Sequence, residues 1–253
     1  MLELHNVGVS IGKKSILKDV SFSLPGEALT VLIGKNGSGK TTLLSAVNGE
    51  RAHTGEILFD GTALACLSAR ERAKRIAFLP QYLRAPAISV EELVFMGRTP
   101  YLELGRRPSP EDAESVEEAI ASMGLQELRA RRVDLLSGGE RQKAYLAMIL
   151  AQKTPLLMLD EPTTYMDPSF THTMLGHLKC LCKREKKTIL VVMHDLNSAI
   201  RYADHLAVLE EGQLSFFGTR EECLAREAIE HIFTVRRFET DGRIFFEGTD
   251  EEK

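Results

Sequence analysis

Residues 34–42 carry the chain's clearest chemical pattern, a glycine-rich loop that leads from an apolar strand into a helix. The loop fits the spacing G-x-x-x-x-G-K-[ST], in which the glycines let backbone N–H groups turn inward around an anion. Lys40 adds a positive charge for the outer phosphates, and the hydroxyl of Thr41 can ligate magnesium. The stretch therefore predicts a cradle for nucleotide phosphates, and a glycine loop without a ligand is the weaker alternative.

A second anion site is predicted at residues 137–140, which read Ser-Gly-Gly-Glu at the start of an alanine- and leucine-rich helix. Ser137 and Glu140 have the spacing of a capping box. The two glycines between them are poor helix formers, and they leave backbone N–H groups open to an anion at the helix start. A plain helix cap is the alternative interpretation.

Polar residues also follow two buried strands. Asp160 and Glu161 come directly after a wholly apolar run, and His194 follows residues 188–193. The carboxyl ends of adjacent parallel strands form the ligand crevice of an open α/β sheet. Phosphoryl transfer needs a phosphate cradle, a magnesium site and a group that orients the attacking water, so Asp160 would hold magnesium and Glu161 would be the base. A solvated strand end for the acids and a structural role for the histidine are the alternatives.

The elements that must position these groups predict an α/β fold. Buried strands are expected at Ala28–Ile33, Ile76–Leu79, Pro155–Leu159 and Thr188–Met193, and an antiparallel flank at Leu2–Ser10, Val20–Leu24 and Gly55–Leu64. Two closing hairpins are expected, at 206–217 and at 235–247. The strands therefore predict a mainly parallel sheet with an antiparallel β flank.

The middle of the chain has helical periodicity instead. Ser109-Pro110 is a strong helix start, with the serine as cap and proline at the first helical position. We expect one domain, in which residues 1–81 and 144–235 form the nucleotide-binding core with its flank, 82–143 a helical subdomain and 236–253 a C-terminal tail.

Composition excludes several classes of protein. The chain has 253 residues and a net charge of −4, and it has no block of five like charges, so nucleic acid is not an expected partner. The four cysteines have no zinc-ligand spacing and suggest reduced thiols. Neither a signal segment nor an apolar stretch of membrane-spanning length is present in the sequence. We expect a protein that is soluble by itself, which still allows it to sit on a membrane protein.

Together these motifs resemble the ATP-binding cassette (ABC) ATPase subunits over nearly the whole chain. The resemblance implies a P-loop NTPase (RecA-like) core with an inserted helical subdomain, and two copies that sandwich ATP and Mg²⁺ between them. In that arrangement each site pairs the phosphate loop of one chain with the 136–140 motif of the other, which would explain two anion sites in one sequence. The resemblance assigns Glu161, His194 and Gln81 to catalysis. It assigns Thr41, Gln81 and Asp160 to the metal. It assigns to the nucleotide Asn36, Gly37, Ser38, Gly39, Lys40, Thr41, Thr42, Ser137, Gly139, Asp167 and Ile11.

Residues 92–101, 194–197 and 201–204 more closely resemble the ATPases of ferric-siderophore, haem and cobalamin importers. This resemblance implies membrane permease subunits, whose coupling helix would rest beside the Gln81 loop, and an extracytoplasmic substrate-binding protein. It also implies a place at the cytoplasmic face of the membrane. For residues 97–101, the alternative to a family-specific role is a purely structural one, a helix stop followed by a proline turn.

Two positions depart from the family pattern. Ile11 stands where an aromatic residue usually stacks on adenine, which predicts weaker discrimination between ATP and GTP. Met166 stands where leucine is usual, a mild change of packing. A cassette ATPase without a permease, for example in cofactor assembly, and a transporter of another substrate both remain open. A chromosome-type ATPase is disfavoured because no long coiled-coil insertion separates the motifs.

Overall fold

The computed structural model describes residues 1–103, 107–163 and 167–248. The strands are β1 (Leu2–Ile11), β2 (Lys14–Ser23), β3 (Leu29–Ile33), β4 (Thr54–Phe59), β5 (Thr62–Ala63), β6 (Ile76–Leu79), β7 (Leu156–Asp160), β8 (Thr188–Val192), β9 (His205–Glu210), β10 (Gln213–Thr219), β11 (Val235–Thr240) and β12 (Arg243–Gly248). The helices are α1 (Lys40–Asn48), α2 (Ala69–Ala73), α3 (Val90–Met96), α4 (Pro110–Ser122), α5 (Gly138–Ala151), α6 (Pro168–Arg184), α7 (Leu196–Tyr202), α8 (Arg220–Ala225) and α9 (Ala228–Phe233). By its internal contacts the chain divides into a first unit, residues 1–66 and 172–253, and a second unit, residues 67–171.

The first unit is built on the parallel strand β3, which pairs with β8 through Leu29 and Ile189 and with β9 through Thr30 and His205. All five residues of β3 are buried, as expected for a continuous apolar run covered on both faces. β10 returns antiparallel along β9. A separate antiparallel sheet has the order β2-β1-β4-β5. The predicted α/β class, with parallel core strands and an antiparallel flank, is confirmed.

The extent of β2 was predicted incorrectly. The sequence indicates a strand from Val20, but β2 begins at Lys14, where it pairs with Ile11. Its first half is mostly exposed and polar, so it lacks the alternation that marks a half-buried strand. A tight turn at Gly12 (φ 60°) holds it against β1 instead.

In the second unit, β6 and β7 are parallel, with Leu79 beside Leu159. Helices α3, α4 and α5 enclose an apolar cluster formed by Val90, Leu93, Val94, Val116, Ala119, Ile120, Leu125, Val133, Leu136, Ala144, Ala147 and Ala151. The helix start predicted at Ser109-Pro110 is confirmed, because Ser109 and Asp112 form a reciprocal capping box at the start of α4.

Residues 97–101, the segment similar to iron-chelate importers, join the three helices. A Cβ at Gly97 would overlap the carbonyl oxygen of Met148, so only glycine lets α3 and α5 approach this closely. Arg98 is buried; its Nε donates to Asp112 Oδ1 at 2.8 Å, its Nη1 donates to Ala151 O at 2.9 Å, and its guanidinium covers the Tyr101 ring. The predicted helix stop and turn are present, and the arginine has a packing role of its own.

The predicted tail hairpin is confirmed as β11 and β12, which turn at Asp241-Gly242, both with positive φ. It packs on α7, where the Phe246 backbone N–H donates to Asn197 Oδ1 at 2.7 Å. Across the described ranges, no helix is both long and apolar enough to cross a bilayer.

Candidate functional site

The phosphate loop of the first unit joins β3 to α1. A Cβ at Gly34 would overlap the carbonyl oxygen of Leu209 and would lie 2.6 Å from Ser38 Oγ, so this position requires glycine and the serine hydroxyl lies inside the loop. Gly39 precedes the helix with φ 103°, a conformation that other residues rarely adopt. The sequence therefore folds here into a tight turn directly ahead of a helix N-terminus.

The polar groups of the loop suit a phosphate chain. Ser38 is 4% exposed, and its Oγ meets no hydrogen-bond partner among the described residues. Lys40 is also buried; its ammonium donates to Gly34 O at 2.7 Å and to Lys35 O at 3.1 Å, which holds the charge against the backbone of the loop. Asn36 and Gly37 are exposed, as is Thr41, whereas Thr42 is half-buried. A buried hydroxyl and a buried cation around a glycine turn fit an anionic ligand.

In the second unit, the parallel pairing of β6 and β7 brings two predicted residues together. Gln81 follows β6, and its Nε2 donates to Glu161 Oε2 at 2.7 Å. Glu161 has φ 51°, a strained backbone for a residue other than glycine. Asp160, the last residue of β7, is completely buried. An amide, a buried carboxylate and a second carboxylate thus cluster at one strand edge.

Magnesium fits this donor set, because it takes one or two protein oxygens together with water and substrate phosphates. Within the described ranges, no three His, Cys, Asp or Glu side chains gather in the way of a metal cage. Asp160, the amide oxygen of Gln81 and the hydroxyl of Thr41 are the oxygens that could serve. Thr41 belongs to the first unit and the other two to the second.

The 137–140 motif forms the predicted capping box. Ser137 Oγ accepts from the Glu140 N–H at 3.3 Å and donates to Glu140 Oε2 at 2.8 Å. The Ser137 backbone N–H and hydroxyl lower the pKa of Glu140, so this carboxylate is charged near neutral pH. Apart from the backbone of its own helix turn, a Cβ at Gly139 would in contrast meet no described atom within 4 Å. Packing inside this chain therefore does not explain the glycine at 139, and space remains for an outside group.

The remaining residues that the sequence predicts for the nucleotide site lie in separate segments of the chain. Ile11 ends β1 and is 47% exposed, although it is apolar. His194 follows β8 and is exposed. Asp167 Oδ1 accepts from the Phe170 N–H at 2.8 Å and so caps α6. Met166 lies outside the described residues.

The family resemblance places a partner beside the Gln81 loop, but the sequence does not identify the residues that line the surface there. A cavity of about 330 Å³ lies in the second unit, lined by Gln81, Tyr82, Leu83, Gly138, Arg141 and Gln142. Tyr82 is 81% exposed. In the sequence, the only sign of this cavity is one aromatic residue after Gln81. The cavity could not be predicted because its lining comes from two segments that are about sixty residues apart.

Comparisons with known proteins agree with these observations. Residues 17–164 match the family described as ABC transporter. The chain is 43% identical to a hemin import ATP-binding protein of Pseudomonas fluorescens, with 92% of each chain covered. It is 40% identical to the ferric enterobactin transport ATP-binding protein of Escherichia coli, covering 89% of this chain and 84% of that one. It is 37% identical to the iron(3+)-hydroxamate import ATP-binding protein of Bacillus subtilis, covering 92% and 88%.

Two solved structures share the fold at 25% identity. One is a metal-chelate type ABC transporter in an inward-facing conformation, with a TM-score of 0.81 over 97% of this chain and 95% of that one. The other is a dimeric ATP-binding cassette bound to ADP and phosphate, with a TM-score of 0.77 over 87% and 99%. The chain belongs to the ABC transporter family, as one of its ATP-binding ATPase subunits.

Proposed function

We propose that this chain hydrolyses ATP to energise the uptake of an iron chelate, a ferric siderophore or haem, or of cobalamin, through a membrane permease. The chelate assignment is supported by relatives that carry hemin, ferric enterobactin and iron hydroxamate import in their names and match most of this chain. The observation that carries the ATPase assignment is the Gln81–Glu161 hydrogen bond at the end of two buried parallel strands.

The chemistry follows from these residues. Residues 36–42 bind the triphosphate through backbone N–H groups, the Lys40 ammonium and hydroxyls. Glu161 accepts a proton from a water molecule as that water's oxygen bonds to the γ-phosphorus. The bond from the γ-phosphorus to the oxygen of ADP then breaks, and ADP and phosphate leave. Gln81 holds the Glu161 carboxylate in place, and His194 contacts the γ-phosphate.

Mg²⁺, held by Thr41, Gln81 and Asp160, would neutralise charge on the β- and γ-phosphates when bound. The donor set supports this assignment, because the buried carboxylate of Asp160 ends the strand beside Gln81. Removal of magnesium would therefore lower turnover with little change in the fold.

A second copy of the chain completes each site. Ser137 and Gly139 of one copy contact the γ-phosphate held by the other, and Asp167 lies at the same junction. The open space at Gly139 supports this arrangement, because it leaves room for a phosphate held by the other copy to approach the helix start. The dimeric cassette of the same fold gives further support.

The cavity beside Gln81 is the proposed docking site of a permease helix. The exposed Tyr82 ring and the Arg141 side chain give it both an apolar and a charged wall. Because Gln81 also bonds Glu161, a partner seated there would touch the residue that positions the base. An extracytoplasmic binding protein would deliver the chelate, and this chain would lie at the cytoplasmic face.

Glu161→Gln tests the catalytic assignment. Glutamine keeps an oxygen that can accept from Gln81, but it cannot take a proton, so we expect ATP binding to persist while hydrolysis falls about 100-fold or more. Lys40→Ala is the control and should weaken ATP binding itself. Turnover of Glu161→Gln near the wild-type rate would remove Glu161 from its role.

The import assignment has a separate test. The chain, purified with the permease it accompanies, should hydrolyse ATP faster when the binding protein is loaded with a ferric siderophore or haem. Recovery of the chain only in a complex without a multi-span membrane protein would contradict import and favour a cassette ATPase of another kind.

A further inference from the structure

The first unit contains a second cavity, of about 320 Å³, that the proposed function does not use. Its wall comes from four separate segments: α6, through His172, then α7 with its cap residue, the start of α8, and the turn region of the β11–β12 hairpin. Three arginines, Arg201, Arg220 and Arg243, each from a different segment, line it. The cavity is large enough for a small metabolite.

The positive charge of this cavity is poorly compensated. Within the described part of the chain, neither Arg201 nor Arg243 has a carboxylate within ion-pairing distance, and Arg220 has only Glu221, at 3.9 Å. Among the described residues, the one carboxylate in the wall is Asp195, whose oxygens accept the backbone N–H groups of Asn197 and Ser198 as the cap of α7. Three guanidinium groups thus share a cavity with one carboxylate that is already bonded.

The wall also has an apolar side. Ile200, Ile244 and Phe245 line the cavity together with the arginines, and the Phe245 side chain is 42% exposed. Guanidinium groups bind carboxylates and phosphates by paired hydrogen bonds, and an apolar wall favours a ligand with a carbon skeleton. We propose that this cavity binds a small organic anion with two or more negative charges carried by carboxylate or phosphate groups.

Such a ligand would join the tail hairpin to α7. The two elements already share the hydrogen bond from Phe246 N–H to Asn197, and an anion between Arg201 and Arg243 would add a second link. Because α7 begins two residues after His194, the ligand would restrain the segment that carries this histidine. This regulatory consequence rests on the proposed function, whereas the binding itself does not.

Calorimetric titration of the full-length protein tests the binding, with citrate as the carboxylate probe and glycerol 3-phosphate as the phosphate probe. Arg201→Ala and Arg243→Ala should each weaken binding by about tenfold, since each removes a charge-assisted pair. Arg236→Ala is the matched control, because Arg236 is an exposed arginine of the same hairpin outside the cavity wall, and it should leave affinity unchanged.

Lys40→Ala distinguishes binding in the cavity from binding at the phosphate loop, because this variant should leave the cavity site intact. Binding of either probe that weakens about tenfold in Arg243→Ala and is unchanged in Lys40→Ala supports the proposal, as does slower hydrogen exchange at residues 243–248 on titration. The proposal is overturned if neither probe binds, if the affinity is unchanged in both cavity variants, or if it falls equally in Arg236→Ala. A probe that binds as expected without changing ATP turnover supports the site and overturns its regulatory consequence.

Discussion

The buried Arg98–Asp112 pair offers a sharp test of how the helical part of the second unit is held together. The two side chains are 4% and 7% exposed, and Asp112 also accepts from the Ser109 N–H and hydroxyl. Among the described residues, Asp112→Ala would leave the buried Arg98 charge with only the Ala151 carbonyl and the Tyr101 ring. Breaking a buried pair in this way costs about 3–5 kcal/mol.

The exposed pair of Glu91 and Arg129 in the same unit provides the control. Its atoms are 2.6 Å apart, but the side chains are 48% and 40% exposed. Solvent screens such a pair, so Glu91→Ala should cost no more than about 1 kcal/mol. Urea unfolding of both variants, with constant m-values as the check on cooperativity, measures the difference.

The stability difference between wild type and Asp112→Ala should also depend on pH in a defined direction. Burial alone would raise the pKa of Asp112, but the hydrogen bonds from Ser109 and Arg98 outweigh it and leave the pKa below its ordinary value. A carboxylate with a lowered pKa stabilises the fold above its unfolded-state pKa and loses that contribution as the pH falls. The gap between wild type and Asp112→Ala should therefore narrow below about pH 4.

A double-mutant cycle with Arg98→Met completes the test. The double variant should recover much of the lost stability, because the uncompensated charge is gone, with a coupling of about 2–3 kcal/mol. If Asp112→Ala cost no more than Glu91→Ala, the pair would not organise these helices, and residues 97–101 would be better explained as a contact for a partner.

Two further predictions concern the nucleotide site. Gly34→Ala should abolish ATP binding and lower the melting temperature, because its Cβ would overlap the Leu209 carbonyl oxygen and crowd Ser38; calorimetry and thermal unfolding measure both, and a variant that still binds ATP normally would refute the loop geometry. Ile11→Tyr should increase the preference for ATP over GTP by roughly fivefold, since an aromatic ring at this exposed position can stack on adenine; competition binding with the two nucleotides measures it, and an unchanged ratio would mean that Ile11 does not face the base.

Local signals made much of the fold predictable. The capping boxes at Ser109 and Ser137 are decided within four residues, so the sequence places these helix starts correctly. The Asp241-Gly242 turn sets the tail hairpin in the same way. The continuous apolar run of β3 and the glycine pattern after it also predict a buried strand that leads into a phosphate loop.

Contacts between segments that are distant in the sequence were harder to predict. The first half of β2 depends on its partner strand and has no pattern of its own. The Gln81–Glu161 bond could be expected only in outline, since the pairing of β6 with β7 sets its distance. The cationic cavity brings together Arg201, Arg220 and Arg243 from three segments, and no local pattern marks them as neighbours.

The central claim is that each nucleotide site needs two copies of this chain, and Gly139→Val tests it most directly. A Cβ at position 139 has open space around it, so the variant should fold with an unchanged melting temperature. Sedimentation of Glu161→Gln with Mg²⁺ and ATP should show twice the mass of the 28.2 kDa chain, and the double variant Glu161→Gln/Gly139→Val should stay at the mass of one chain. A double variant that still dimerises with ATP, together with a Gly139→Val single variant that hydrolyses ATP at the wild-type rate, would contradict the claim.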